Sequence, residues 1–335
     1  MIAALAFRVS AGKLVGSIAQ TFDARTGRLL ETLTPPSAGT ALTDGAMNYA
    51  GDRFVATLAN GDAEEWDPST GKLLASLPGT GPAVLAAYSP DGSVLAVVHK
   101  PSVPARLTIA TKLKGVTIDL WNPHTGRLLR QIDGPPLTPL VPGVHEFAPL
   151  SIAFSANSKL IALAGADANV YAYATRTQAE VQPQAIPDGQ VAVSLAFSPN
   201  DRMPAAGTAA GAYIFNLASS SWLPVFQHAD PSQYSIENGG GVLVGFTHDS
   251  RILTTAGDDA LEAWDIADHL QIFSAFAPRG SLNSGGTEFV ASAGDRLSVY
   301  PCDLCGGLPQ LLAVAKRYVT RGLTAQERTT YVNPG

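Results

Sequence analysis

Cysteine is missing from the first 301 residues, and the two that exist, Cys302 and Cys305, lie near the end of the chain. That excludes the dense disulfide framework of a small secreted domain. No apolar run reaches 18 residues, so nothing reads as a membrane-spanning helix. Charge is scarce at 15% of residues, and the net charge is −6 at pH 7. An acidic excess argues against a nucleic-acid or anionic-membrane partner. The start, Met1–Phe7, is apolar but lacks a basic segment and reaches Arg8 at once, so it is a poor export signal. A cytoplasmic location is the expectation. The chain has no Walker motif, no Gly-x-Ser-x-Gly elbow and no pair of histidines four apart, which removes the commonest phosphate-binding, hydrolase and zinc-protease signatures.

What is present is turns and a repeat. Glycine (32) and proline (24) are frequent, and 46% of residues are hydrophobic, as suits a compact β protein. One phrase recurs: an aromatic, Asp or Asn, two residues, Thr-Gly, a basic residue and Leu-Leu. It reads Phe22-Asp23 through Gly27, Trp66-Asp67 through Gly71, and Trp121-Asn122 through Gly126. Weaker copies follow at Tyr173 (Tyr-Ala-Thr-Arg-Thr), Phe215-Asn216, Trp264-Asp265 and Tyr300. The seven aromatics are 36 to 55 residues apart, near the length of one four-stranded propeller blade. Ahead of each lies an apolar run, a Ser-Pro-Asp-Gly-like turn and a second apolar run, clearest at Val84–Val98. Such a pattern reads as a hairpin. In the second unit the strands are expected near 46–49, 53–58, 63–66 and 72–77. The inner runs are apolar throughout, as strands buried on both faces should be, and stacking such sheets around an axis buries them.

These phrases resemble the WD-repeat family over about residues 1–301. The resemblance implies an all-β, seven-bladed β-propeller of degenerate type. Trp66-Asp67 and Trp264-Asp265 match the family's Trp-Asp, and Asp62, Asp167, Asp259 and Asp295 match its turn aspartate. The family's opening Gly-His is absent, so its buried His–Asp network is expected to be broken. Met1 aligns with the start of an inner strand, and Tyr300 falls on a third strand with no fourth after it. The first six units are therefore expected to carry four strands and the seventh three, as if a longer parent supplied the last. Residues 302–335 form a second region, a helical extension packed on the propeller. Leu308, Leu311, Leu312, Ala315, Tyr318 and Val319 make one apolar stripe, and Thr324 to Glu327 reads as a capping box.

This tail resembles the one that follows propellers in large bacterial regulators carrying a STAND-type or other signalling module. Cys302, Cys305, Gly306, Leu311, Leu312, Arg317, Arg321, Leu323, Thr324, Glu327, Arg328 and Tyr331 carry the likeness. It implies a protein-binding or sensing module, with an upstream signalling module of a longer chain among its partners.

Chemistry is thin. Cys302 and Cys305 have zinc-ligand spacing, but a structural zinc needs four ligands and no second pair exists. A redox pair or two reduced, packed thiols are the other readings. Quinone-dependent propellers share the Asp-x-x-Thr-Gly phrase, yet carry Trp where this chain has Glu31, Ala75 and Arg130. No cofactor or catalytic residue is expected. The histidines, His99, His124, His145, His228, His248 and His269, are scattered. Trp222 is expected to pack against a neighbouring outer strand. The loops say more. An insertion follows His99 through residue 114, and the next link runs from 133 to 146; both should rise on one face. Lys100, Arg106, Lys112, Lys114, Leu137, Leu140 and His145 are its candidate contacts. Proline pre-orders such loops, and long loops on rigid scaffolds carry function. The expectation is protein binding through this face. The alternative is an enzyme or small-ligand binder at the central channel.

Overall fold

The computed structural model describes residues 2–10, 13–35, 40–79, 81–101, 115–135, 149–165, 167–177, 179–223, 226–227, 241–257, 260–276, 280–282, 288–293 and 296–301. The described strands form seven antiparallel sheets. The first contains β1 (Ile2–Ser10), β2 (Lys13–Phe22) and β3 (Leu29–Leu33). The second contains β4 (Leu42–Met47), β5 (Phe54–Leu58), β6 (Ala63–Trp66) and β7 (Leu73–Leu77). The third contains β8 (Ala83–Tyr88), β9 (Leu95–His99), β10 (Thr117–Asn122) and β11 (Arg127–Asp133). The fourth contains β12 (Pro149–Phe154), β13 (Leu160–Gly165), β14 (Asn169–Ala174) and β15 (Glu180–Ala185). In the fifth, β16 (Ser194–Phe197), β17 (Pro204–Thr208) and β18 (Gly211–Asn216) are followed by a split outer strand, β19 (Ser221–Trp222) and β20 (Phe226–Gln227). The sixth contains β21 (Leu243–Phe246), β22 (Ile252–Ala256), β23 (Ala260–Asp265) and β24 (Leu270–Phe276). The seventh contains β25 (Gly280–Leu282), β26 (Glu288–Ala293) and β27 (Arg296–Pro301).

Inner strands of successive sheets pack side by side, β4 on β8, β8 on β12, β12 on β16, β16 on β21 and β21 on β25. This is a β-propeller. Its cores lie between sheets rather than within one. Phe54, Leu58 and Trp66 meet Ala19 and Leu33 across the first junction, and Leu95 and Trp121 meet Val55 and Leu77 across the second. Ile118 and Leu120 meet Ile161 and Leu163 across the third. Each such side chain, fully buried, contributes roughly 1.5–3 kcal/mol. A lone sheet would leave those faces in water.

The repeat phrase is the turn from third to outer strand. Asp23 and Asp67 accept the N–H of Gly27 and Gly71 through their carbonyls, and Asn122 accepts that of Gly126. These glycines have φ of 68°, 69° and 62°, the left-handed conformation that lets the turn close.

The register corrects one expectation. Each third-strand aromatic pairs with the first residues of the second strand: Trp66 with Phe54, Trp121 with Leu95, Tyr173 with Ile161, Trp264 with Leu253 and Tyr300 with Phe289. Phe22 pairs with Ile2 in the same way. β1 is therefore the second strand of its sheet, not the inner one, and among the described residues that sheet has three strands. Inner and second strands are both apolar on both faces, so pattern alone does not separate them. In the second sheet the inner strand also begins earlier than expected, at Leu42. Residues 302–335, with Cys302, Cys305 and the expected tail helix, lie outside the described residues.

Adjacent sheets are also laced by hydrogen bonds. The free edge of an inner strand is satisfied by side chains from the preceding one. Asp44 Oδ2 accepts the Ala86 N–H at 2.9 Å, Ser151 Oγ that of Leu195 at 2.9 Å, and Ser194 Oγ that of Val244 at 3.2 Å. The turns between inner and second strands are clasped in the opposite sense, by side chains from the following sheet. The Asp91 N–H donates to Ser158 Oγ at 3.2 Å, the Asn157 N–H to the Asp201 carboxylate at 3.1 Å, and the Asn200 N–H to Ser250 Oγ at 3.1 Å. Ser158, Asp201 and Ser250 hold φ of 61°, 59° and 60°. A side chain is kept at a glycine-like place because it ties two sheets.

Candidate interaction surface

The long insertion and the long link leave the fold from adjacent points. β9 ends at His99 and β10 begins at Thr117; β11 ends at Asp133 and β12 begins at Pro149. Their stems are bonded together. The Gly134 N–H donates to the Val116 carbonyl at 2.8 Å, and the Val116 N–H to the Pro135 carbonyl at 3.3 Å. Gly115 lies so close that a Cβ there would meet the Gly134 and Pro135 carbonyl oxygens at 2.6 Å. Only glycine allows that approach.

Beneath the stems is a buried polar group. His99 Nε2 lies 3.2 Å from Asp119 Oδ2, and His99 Nδ1 lies 3.1 Å from the Gly81 carbonyl on the link from the second sheet. The Gln131 amide donates to Asp119 Oδ1 at 2.8 Å. A buried His–Asp contact is thus present in the third sheet, close but not aligned as a hydrogen bond, built from the end of a second strand and the body of a third. Sequence reasoning missed it because it looked for Gly-His ahead of the inner strand. A signal was available, since an acid stands two residues before the tryptophan at Glu64, Asp119 and Glu262. All three are buried. In the sixth sheet Trp264 Nε1 donates to Thr255 Oγ1, which donates to Glu262, and Gln271 donates to the other carboxylate oxygen. Glu64 Oε2 has no partner among the described residues, and burial, with Asp62 adding repulsion, pushes this carboxyl up to about 7. On the opposite face of that strand Glu65 accepts Tyr88 Oη at 2.8 Å and Arg53 at 3.1 Å, joining the second sheet to the third.

Of the residues expected to make contacts, Lys100 sits on the stem, half-buried, its N–H donating to the Pro82 carbonyl at 2.9 Å. Arg106, Lys112, Lys114, Leu137, Leu140 and His145 lie outside the described residues. Trp222 packs edge-on against Phe215 and Tyr213 of its own sheet, at 5.2 and 6.3 Å, and borders a small apolar cavity with Val181 of the neighbouring outer strand. Asp62 and Asp167 do precede third strands, and Asp167 accepts the Asn169 N–H at 3.2 Å.

The central channel opens at the other end of the sheets. A cavity of about 540 Å³ is lined there by five inner strands and their turns, among them Met47, Tyr49, Tyr88, Phe154, Phe197 and Phe246. His248 is the sole His, Lys, Arg, Asp, Glu or Cys among its described lining residues. Among the described residues no three His, Cys, Asp or Glu side chains gather as a metal would need, and no helix is long and apolar enough to cross a membrane.

No protein-family model matches the chain, and no curated protein matches it. It is similar to a chain in the crystal structure of a mitotic checkpoint complex, with a TM-score of 0.62 and 14% identity over 85% of this chain and 81% of that one. At that identity the likeness establishes the fold.

Proposed function

We propose that this propeller is a non-catalytic protein-interaction module that binds through the loop face of its third sheet. The observation that supports this most is the pairing of the two loop stems at Val116 and Gly134. Two segments of 13 residues each, 102–114 and 136–148, are thereby rooted side by side on a rigid base. A fixed base lowers the ordering cost of binding. Arg106, Lys112 and Lys114 give one segment a basic character, with Lys100 on its stem, and Leu137 and Leu140 give the other apolar anchors, with His145 in the same segment. That mixture suits an acidic protein surface with an apolar centre. The similar solved chain belongs to a complex, which fits a binding role. The resemblance carried by the tail sequence, Cys302 and Cys305 among its residues, supports a place in a cytoplasmic bacterial regulator, joined to or working with a signalling module.

The test is affinity capture from the native host with two proteins, the wild type and a variant in which residues 102–113 are replaced by a short Gly-Ser turn. Equal thermal stability with loss of the captured partner is the expected result. Capture of the same partner by both proteins refutes the reading.

A second reading is favoured by the channel mouth, whose volume lies within the range of small-molecule pockets. Its aromatic side chains, set among polar backbone, suit an amphipathic ligand or an inserted polar side chain. Tyr49→Ala, at an exposed side chain of that mouth, would weaken such binding and leave loop-face capture unchanged.

A further inference from the structure

The fourth sheet breaks the repeat at one place. The residue after the aromatic is Asp23, Asp67, Asn122, Asn216 or Asp265 in five other units, and Ala174 here. Elsewhere that side chain accepts N–H groups of its own turn. Asp23 Oδ1 takes those of Arg25 and Thr26, Asn122 Oδ1 those of His124 and Thr125, and Asp265 Oδ1 those of Ala267 and Asp268. In the sixth sheet Asp265 also reaches Arg251 at 3.8 Å. Arg251 and Lys159 occupy the same place, since their carbonyls accept the N–H of Ile266 and Thr175, two residues past the aromatic. Ala174 therefore leaves Lys159, and the N–H groups of Arg176 and Thr177, without the acceptor the repeat normally supplies.

The groove beside Ala174 is basic. A cavity of about 320 Å³ lies between the third and fourth sheets, and Arg130, Lys159 and Arg176 line it with one carboxylate, Asp91. The carboxylate is engaged by its own turn, accepting Ser89 Oγ, Ser93 Oγ and the Ser93 N–H, contacts that hold it below the usual range despite partial burial. No described carboxylate forms an ion pair with any of the three cations. Two of them are set in place: Thr175 Oγ1 donates to the carbonyls of Ser158 and Lys159, and its N–H to that of Lys159, so Lys159 and Arg176 stand on fixed, adjoining turns. Arg130 faces them from the outer strand of the third sheet. The same outer-strand position is Glu31 in the first sheet and Ala75 in the second, so the basic character belongs to this junction.

We propose that this groove binds a phosphate dianion, free or borne on a monoester, beside the place where the repeat carboxylate is missing. Two positive charges in excess match a dianion better than a single carboxylate. Two guanidinium groups supply paired donors to phosphate oxygens, and the Lys159 ammonium adds a third positive group. The groove is at the opposite end of the sheets from the loop face, so the two sites are separate.

The experiment is calorimetric titration of the full chain at low ionic strength, where exposed charges are least screened. Three probes are used: inorganic phosphate, a short phosphoserine peptide and the same peptide without phosphate. Saturable binding of either phosphate probe, with none of the unmodified peptide, is expected. Peptide bound better than inorganic phosphate assigns a protein-borne group, and the reverse assigns a free phosphate; both support the site. R130Q and R176Q should each weaken binding about tenfold or more. Ala174→Asp restores the repeat residue, should keep the wild-type melting temperature and should abolish binding. Absence of saturable binding in the wild type overturns the proposal, as does equal affinity in Ala174→Asp or in R130Q/R176Q.

Discussion

The Asp119 carboxylate stands 3.2 Å from the His99 imidazole, under the link that carries the chain from the second sheet to the third. Both side chains are almost fully buried, and the Gln131 amide completes the group. Removing Asp119 takes the nearest acidic group from the buried His99 Nε2 and an acceptor from the Gln131 amide. Asp119→Ala should therefore destabilise the fold by about 2–4 kcal/mol. Urea denaturation monitored by fluorescence checks it; a midpoint within error of wild type would mean the pair contributes nothing net.

Ser158 offers a sharper comparison. It combines a left-handed backbone with a bond to the Asp91 N–H. Ser158→Ala keeps the strain and loses the bond, so it should cost about 1 kcal/mol. Ser158→Gly loses the bond but relieves strain worth about 1–2 kcal/mol, so it should be near neutral. A Ser158→Ala midpoint equal to wild type in denaturant melts would remove the clasp as a stabilising contact, and equal effects of the two changes would remove the strain.

Glu64 predicts a pH dependence. Its carboxyl is raised from 4.5 to about 7. Between those values the folded chain keeps a proton that the unfolded chain has released. This group's contribution is thus fully present below about 4.5 and is lost as pH rises through about 7. Glu64→Gln removes that slope, and should gain on wild type by about 1–3 kcal/mol between pH 5 and pH 8. Melting temperatures of both proteins at the two pH values decide it; a constant difference refutes the assignment.

Gly115 tests the loop base without touching the loops. Gly115→Ala places a methyl against two carbonyl oxygens 2.6 Å away. The stems must part, and partner capture should fall several-fold while the other sheets keep their hydrogen-exchange protection. Undiminished capture would show that the stem pairing does not set the binding geometry.

The fold was legible because the repeat phrase is itself a turn mechanism: Asp or Asn bonds its own backbone and Gly supplies positive φ, whatever the rest of the unit does. The role of β1 was not legible, because burial on both faces erases the alternation that would mark a strand's place. The polar groups between sheets were hidden for another reason. Asp44, Ser151 and Ser158 act on a neighbouring unit about 40 to 70 residues along the chain, and no local pattern announces such a partner. The basic groove was partly visible as the weakest clear copy of the phrase, where Ala174 stands in for the acid. Its meaning needed Arg130 and Lys159 to be brought to the same junction.

The turn clasps also have a direction. In each, the backbone N–H belongs to the earlier sheet and the accepting side chain to the later one. A sheet emerging during synthesis is thus unfinished until its successor arrives: Asp91 waits for Ser158, Asn157 for Asp201, and Asn200 for Ser250. In this stretch a chain halted after such a sheet leaves its newest turn N–H without its acceptor.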